Sequence, residues 1–127
     1  MSSRSPLAQV PGSESAEGGT DHWWAQRVTA VALLILGGWF LYSIVRLDSF
    51  AYSAVLDWAG RPFNSVTLIL LSLTLAWHSA LGVQVVLEDY VHGPFITAVS
   101  LLLNRFAHTF LAIAAVVAVL KIALGSS

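Results

Sequence analysis

A single imidazole, His78, sits inside an apolar run covering residues 67–87, and the run ends in Glu88-Asp89-Tyr90-Val91-His92-Gly93. An ionisable side chain in hydrocarbon costs on the order of a few kcal/mol by insertion scales, so such residues face a bundle interior and usually mark a function. Three roles suit His78: axial ligand to a haem iron, proton-relay group, or hydrogen-bonding partner between helices. Gly82, one turn further on, and the neighbouring Ser79 leave the room that a flat macrocycle needs against a helix, and Ser72 extends the run of small side chains. On a helix, the eleven-residue step from His78 to Asp89 returns to within roughly 20° of the same face after a rise of about 16 Å. One face would therefore join a buried imidazole to a polar pair at the membrane edge.

Asp89 and Tyr90 each have two readings. An interfacial Tyr is ordinarily an anchor and an interfacial Asp is ordinarily solvated. The functional reading has Tyr90 donating its hydroxyl to a carbonyl oxygen of a bound quinone, with Asp89 holding it or passing protons. Arg27 divides in the same way, between a snorkelling cation and a charge-assisted contact to a haem propionate. His108 is the rival ligand, since it too falls within a span, but Asn104 and Arg105 nearby would equally place it in a polar network. His22 and His92 are weaker candidates.

The elements that must position these groups follow from composition. Hydrophobic residues make up 57% of the 127 and charged residues 10%, and the mean hydropathy is +0.76. Too little polar surface exists to cover a water-soluble fold, so the chain belongs in a lipid bilayer. A span needs roughly 20 apolar residues, and three stretches qualify, at about 28–46, 66–88 and 96–124. They lack the alternation of barrel strands, which makes them helices, because lipid offers no partner for an open backbone. The fold class is all-α, an integral membrane protein of three transmembrane helices, and three helices of this size need a membrane partner to bury a cofactor.

Residues 1–21, rich in Ser, Gly and Pro, read as a disordered polar tail ahead of an anchor domain at 22–127. The tail has neither the apolar core of a signal peptide nor the Arg-rich, acid-poor composition of a transit peptide, which favours a bacterial inner membrane over a mitochondrial one. Thr20 or Asp21 is expected to cap a first helix beginning near His22, with Trp23 and Trp24 at the headgroups. Gly37 and Gly38 either let a neighbouring helix approach or are simply tolerated. Ala51, Val55 and Trp58 share one face of a short interfacial helix that Gly60-Arg61-Pro62 stops, and Gly93-Pro94 breaks the chain before a third span opening near Thr97. Lys and Arg are too evenly divided to orient the spans. A net charge of -1 leaves no nucleic-acid footprint, and without cysteine any cofactor must be held by histidine or oxygen.

The pattern His78, Gly82, Gln84, then Asp89-Tyr90-Val91, resembles the hydrophobic membrane-anchor family of succinate dehydrogenase, respiratory complex II. The Arg27-Val-Thr-Ala opening, the aromatic-rich connection before Phe63 and the three-helix length agree with it. The resemblance runs from about Trp23 to the C-terminus. It implies that His78 is one axial ligand of a haem b shared with a second membrane anchor, which supplies the other ligand. It further implies that Tyr90 hydrogen-bonds ubiquinone, that Asp89 is the acid of that pocket, and that Arg27 lies near the haem propionates. The implied partners are this second membrane anchor, an iron–sulfur subunit and a flavoprotein subunit; the N-terminus and the Asp89-Tyr90 end would be cytoplasmic. The chain alone would perform no chemistry. The alternatives are a fumarate reductase anchor, a small stand-alone cytochrome b using His108 as second ligand, and a structural membrane protein without cofactor.

Overall fold

The computed structural model describes residues 13–125, with side chains from residue 18 onward. Four helices follow in order: α1 (Ser13–Val45), α2 (Tyr52–Gly60), α3 (Pro62–Tyr90) and α4 (Pro94–Ala123). No strand occurs among the described residues. Within these, Gly18–Val45, Pro62–Tyr90 and Pro94–Ala123 are each long and apolar enough to cross a membrane. The architecture is the all-α, three-span one expected, with a short helix between the first two spans.

The helix ends are where the chain departs from expectation. α1 runs through Thr20 and Asp21 from Ser13, so neither residue caps it. Residues 13–21, assigned by composition to the tail, are helical, while residues 1–12 of the expected disordered segment lie outside the described part. α3 and α4 open on Pro62 and Pro94, a few residues before the apolar spans, because proline has no N–H to lose in a first turn and its φ is already helical. At its other end α3 continues to Tyr90, taking Asp89 and Tyr90 into the helix itself.

α2 forms where the interfacial helix was expected and stops at Gly60. Its last carbonyls lack i+4 partners within the helix; the Arg61 N–H reaches Trp58 O at 3.4 Å, and the first turn of α3 adds side-chain donors, Asn64 Nδ2 to Trp58 O at 2.7 Å and Ser65 Oγ to Ala59 O at 2.6 Å. Trp58, only 8% exposed, stacks on Trp39 at 6.0 Å and meets Phe40 at 6.1 Å, while Trp39 makes an edge contact with Phe63. These rings fasten the interfacial helix to the C-terminal part of α1 and the first turn of α3. Gly93 adopts φ +112, which only glycine takes without strain. Thr97 then bridges the break, its Oγ1 donating to Val91 O at 3.0 Å.

α3 is the middle helix. It packs on α1 on one side and on α4 on the other, and α1 and α4 do not pack on each other. The layer is open, so among the described residues α1 and α3 keep surface that no neighbouring helix covers. Burial is inverted relative to a water-soluble protein. Among the described residues the buried set is Thr29, Ser65 and Asn104 with only Trp58 and Ala59, while Leu34, Ile35, Val45, Phe106 and Phe110 lie exposed. In lipid, apolar side chains gain nothing by turning inward, and association rests on small residues and interhelical hydrogen bonds. The hydroxyls of Thr67, Ser72 and Thr74 donate to carbonyls one turn earlier, satisfying themselves at 2.7–2.8 Å.

Candidate functional site: two histidines on opposite sides of the middle helix

His78 lies on the α1 side of α3, half-buried. Its Nδ1 is 2.9 Å from Thr29 Oγ1 of α1, a contact joining residues far apart in the chain. Thr29 is 4% exposed, and its hydroxyl also lies 2.7 Å from Ala25 O and 3.1 Å from Gln26 O. Among the described residues Nε2 of His78 has no hydrogen-bond partner. Next to it, a Cβ built on Gly82 would meet nothing within 4 Å. Gly82 therefore has open space beside it, as most of the described glycines do. Gly37 and Gly38 are likewise open, so neither serves a close approach between helices of this chain.

The other two small residues of that stripe serve a different neighbour. Ser72 and Ser79 line a groove of about 310 Å³ between α3 and α4, together with Ala76 and His108. There Ser79 Oγ is 3.1 Å from His108 Nε2, and His108 Nδ1 is 2.9 Å from the carbonyl of Asn104. A carbonyl can only accept, so Nδ1 of His108 carries the proton and donates. In the neutral ring Nε2 is then an acceptor, and Ser79 donates to it. Both nitrogens of His108 are thus occupied within the chain, which is the polar network that Asn104 and Arg105 suggested. Asn104 adds a second tie, Nδ2 donating to Ala80 O at 2.9 Å, though its buried Oδ1 finds no partner. Each such interhelical bond is worth about 0.6 kcal/mol on average in a membrane protein, enough to set register but not to hold the fold alone.

Asp89 and Tyr90 occupy the last turn of α3, both exposed, Tyr90 at 78%. The helix from His78 to Asp89 is unbroken, so the rise of about 16 Å between them holds. Gln84 donates to Glu88 at 2.8 Å along the same stretch. Arg27 is also exposed, and its guanidinium lies over Trp23 at 5.3 Å from the ring centroid. A two-residue step turns a helix about 200°, so the backbone at Arg27 points away from the α3 side that Thr29 faces. His22, one of the weaker candidates, is seven residues before Thr29 and hence on nearly the same face of α1. Its Nε2 is buried without a partner. Periodicity would have placed it there; only the fold shows that the nitrogen is enclosed. A groove of about 800 Å³ among Leu56, Gly60, Arg61, Lys121 and Ile122 lies at the α2 end of the molecule, away from these groups.

No group of three or more His, Asp or Glu side chains among the described residues could hold a metal ion. A metal at His78 must then bring most of its own donors and take any further protein ligand from elsewhere. Those are the terms on which haem iron binds: four porphyrin nitrogens and axial imidazoles. With a free Nε2, open space at Gly82 and an uncovered face, the residues fit such a group.

Comparison with known proteins agrees with this geometry. Residues 1–124 match the family described as succinate dehydrogenase/fumarate reductase transmembrane subunit. The succinate dehydrogenase hydrophobic membrane anchor subunit of Rickettsia bellii is 32% identical over 88 residues, covering 69% of this chain and 70% of that protein. The corresponding protein of Paracoccus denitrificans is 32% identical over 88 residues, covering 69% and 68%. The succinate dehydrogenase membrane anchor subunit of Reclinomonas americana is 33% identical over 90 residues, covering 68% and 75%. The all-helical fold with its three spans and these similarities converge on an integral membrane protein, and the chain belongs to the succinate dehydrogenase/fumarate reductase transmembrane subunit family, among its succinate dehydrogenase membrane anchors.

Proposed function

We propose that this chain is the anchor of a succinate:ubiquinone oxidoreductase in a bacterial inner membrane, with its N-terminus and the Asp89-Tyr90 end on the cytoplasmic side. It holds the flavoprotein and iron–sulfur subunits to the bilayer and, with a second anchor, encloses one haem b and part of a ubiquinone pocket. The observation that carries the reading is His78, whose Nδ1 meets Thr29 while Nε2 is unengaged among the described residues, in a layer where α1 and α4 do not pack on each other. When bound, haem b would supply a one-electron redox centre whose potential its ligands and burial set. The chain's residues do the positioning. His78 offers one axial nitrogen, and the second comes from the other anchor. Gly82 keeps the adjoining surface flat. Arg27, at the headgroup end of α1, points away from the α3 side and would reach a propionate only by swinging its long side chain off Trp23.

Tyr90 and Asp89 stand at the end of α3 where a soluble partner would dock, one carrying a phenol that donates a hydrogen bond and the other a carboxylate able to hold that phenol or accept a proton. Their exposure in the single chain is what a pocket built jointly with other subunits requires. The stand-alone cytochrome alternative needs a second ligand within the chain, and His108 has both nitrogens committed to Ser79 and Asn104. A fumarate reductase anchor would share every feature of this chain, since flux direction is set by the quinone and the soluble subunits. The test is Tyr90→Phe in the purified complex. Quinone reduction is expected to fall on the order of 10-fold, the loss of about 1.4 kcal/mol of transition-state stabilisation. Succinate oxidation by an artificial acceptor and haem content should persist. Unchanged quinone kinetics would remove Tyr90 from the pocket.

A further inference from the structure

We propose that Thr29 is a positioning residue for His78: it fixes the imidazole tautomer so that Nδ1 bears the proton and Nε2 presents its lone pair to iron. The inference rests on the haem-ligand reading above and gives a role to Thr29, which lies in the Arg27-Val-Thr-Ala opening without one.

Thr29 Oγ1 has one hydrogen and three neighbours within reach: Ala25 O at 2.7 Å, His78 Nδ1 at 2.9 Å and Gln26 O at 3.1 Å. The two carbonyls can only accept. The shortest contact, to the carbonyl one turn earlier, takes the hydroxyl proton, as it does for Thr67, Ser72 and Thr74 in this chain. Oγ1 then faces His78 with a lone pair, and Nδ1 must be the donor. A neutral imidazole protonated on Nδ1 has its remaining lone pair on Nε2, the nitrogen without a partner among the described residues.

Two further features make Thr29 suited to the task. It is buried, at 4% exposure, and a β-branched side chain whose hydroxyl is bonded back to its own helix has little freedom at χ1. The acceptor is therefore rigid, and it holds the ring plane as well as the proton. An Nδ1–H donating to a fixed oxygen also makes Nε2 more electron-rich, as the outer partners of metal-bound histidines do generally. The α4 side runs the opposite way: there the hydroxyl of Ser79 donates to Nε2 of His108, which closes that nitrogen to a metal.

The test uses the complete complex carrying Thr29→Val, Thr29→Ala or Thr29→Ser, read by haem-to-flavin ratio, haem midpoint potential and the low-temperature paramagnetic resonance of the oxidised haem. Val and Ala are expected to weaken haem retention on the order of 10-fold. They should also move the midpoint potential to more positive values, because a less basic imidazole stabilises the oxidised iron less. Thr29→Ser, which keeps the hydroxyl, should restore the native values. Native retention and potential in Thr29→Val would overturn the proposal, and so would a Ser variant shifted as far as Ala, since the effect would then follow size. If Val blocks assembly, Ala and Ser decide by the same criterion; a complex that assembles with none of the three assigns Thr29 to folding and overturns it too. The underlying ligand reading fails separately, by an unaltered haem spectrum in His78→Ala.

Discussion

The two sides of α3 use the same residue type for opposite purposes. Towards α4, His108 has each ring nitrogen occupied, by Ser79 and by the Asn104 carbonyl, and Asn104 reaches back to Ala80. Towards α1, His78 has one nitrogen on Thr29 and the other unengaged beside the open surface at Gly82. His78 and Ala80 are two residues apart, and a two-residue step turns a helix about 200°, so one short segment can address both neighbours. The difference teaches that a polar residue in a membrane helix is classified by the hydrogen bonds it makes, and by its position only secondarily. A histidine with both nitrogens satisfied inside the chain is a fastener. One with a single nitrogen fixed keeps the other for a further partner, which for His78 we propose is a haem iron.

The contrast is most easily broken by exchanging the two sides. His78→Ala is expected to alter or abolish the haem absorption of the purified complex, whereas His108→Ala should leave it native. The reverse pattern would make His108 the ligand and revive the stand-alone cytochrome. A smaller but sharper effect is expected of Gly82→Leu. Among the described residues a Cβ at this position would meet no side chain or other helix within 4 Å, so the chain's own helix content should be unchanged, while haem occupancy and recovery of the second anchor fall together. Native occupancy would show that the surface beside His78 is covered only by lipid. Least of all, Ser79→Ala removes the bond to His108 and should cost about 0.6 kcal/mol, seen as a slight loss of thermal stability in detergent with the haem spectrum intact. A spectral change there would mean that the α4 side is coupled to the cofactor.

Much of the architecture was legible in the sequence. Three apolar runs, the breaks at Gly60-Arg61-Pro62 and Gly93-Pro94, and the apolar face of Ala51, Val55 and Trp58 were enough to place four helices in order. Helix ends were less so. Thr20 and Asp21 look like caps, but a cap residue means nothing if the helix has already started, and the polar stretch before them is helical from Ser13. The apolar span expected at 66–88 stops short of Asp89 and Tyr90, yet α3 carries both in its last turn. In the site, His78 and Gly82 could be singled out because an imidazole and a glycine are unusual in their places. Thr29 could not, because a threonine in a membrane helix ordinarily bonds its own backbone, and its second partner sits on another helix. Ser72 and Ser79 were placed beside His78 by sequence proximity, whereas only helix packing decides which neighbour a small residue faces.

The central claim is that the uncovered face of α1 and α3 is completed by a haem and a second anchor, and that the far end of α3 carries the soluble subunits. It is tested most directly by purifying the native complex through this chain in mild detergent, recording its absorption spectrum and identifying its subunits. The account predicts a b-type haem spectrum together with a second membrane anchor, a flavoprotein and an iron–sulfur protein. Recovery of this chain with neither haem absorbance nor soluble subunits would contradict it.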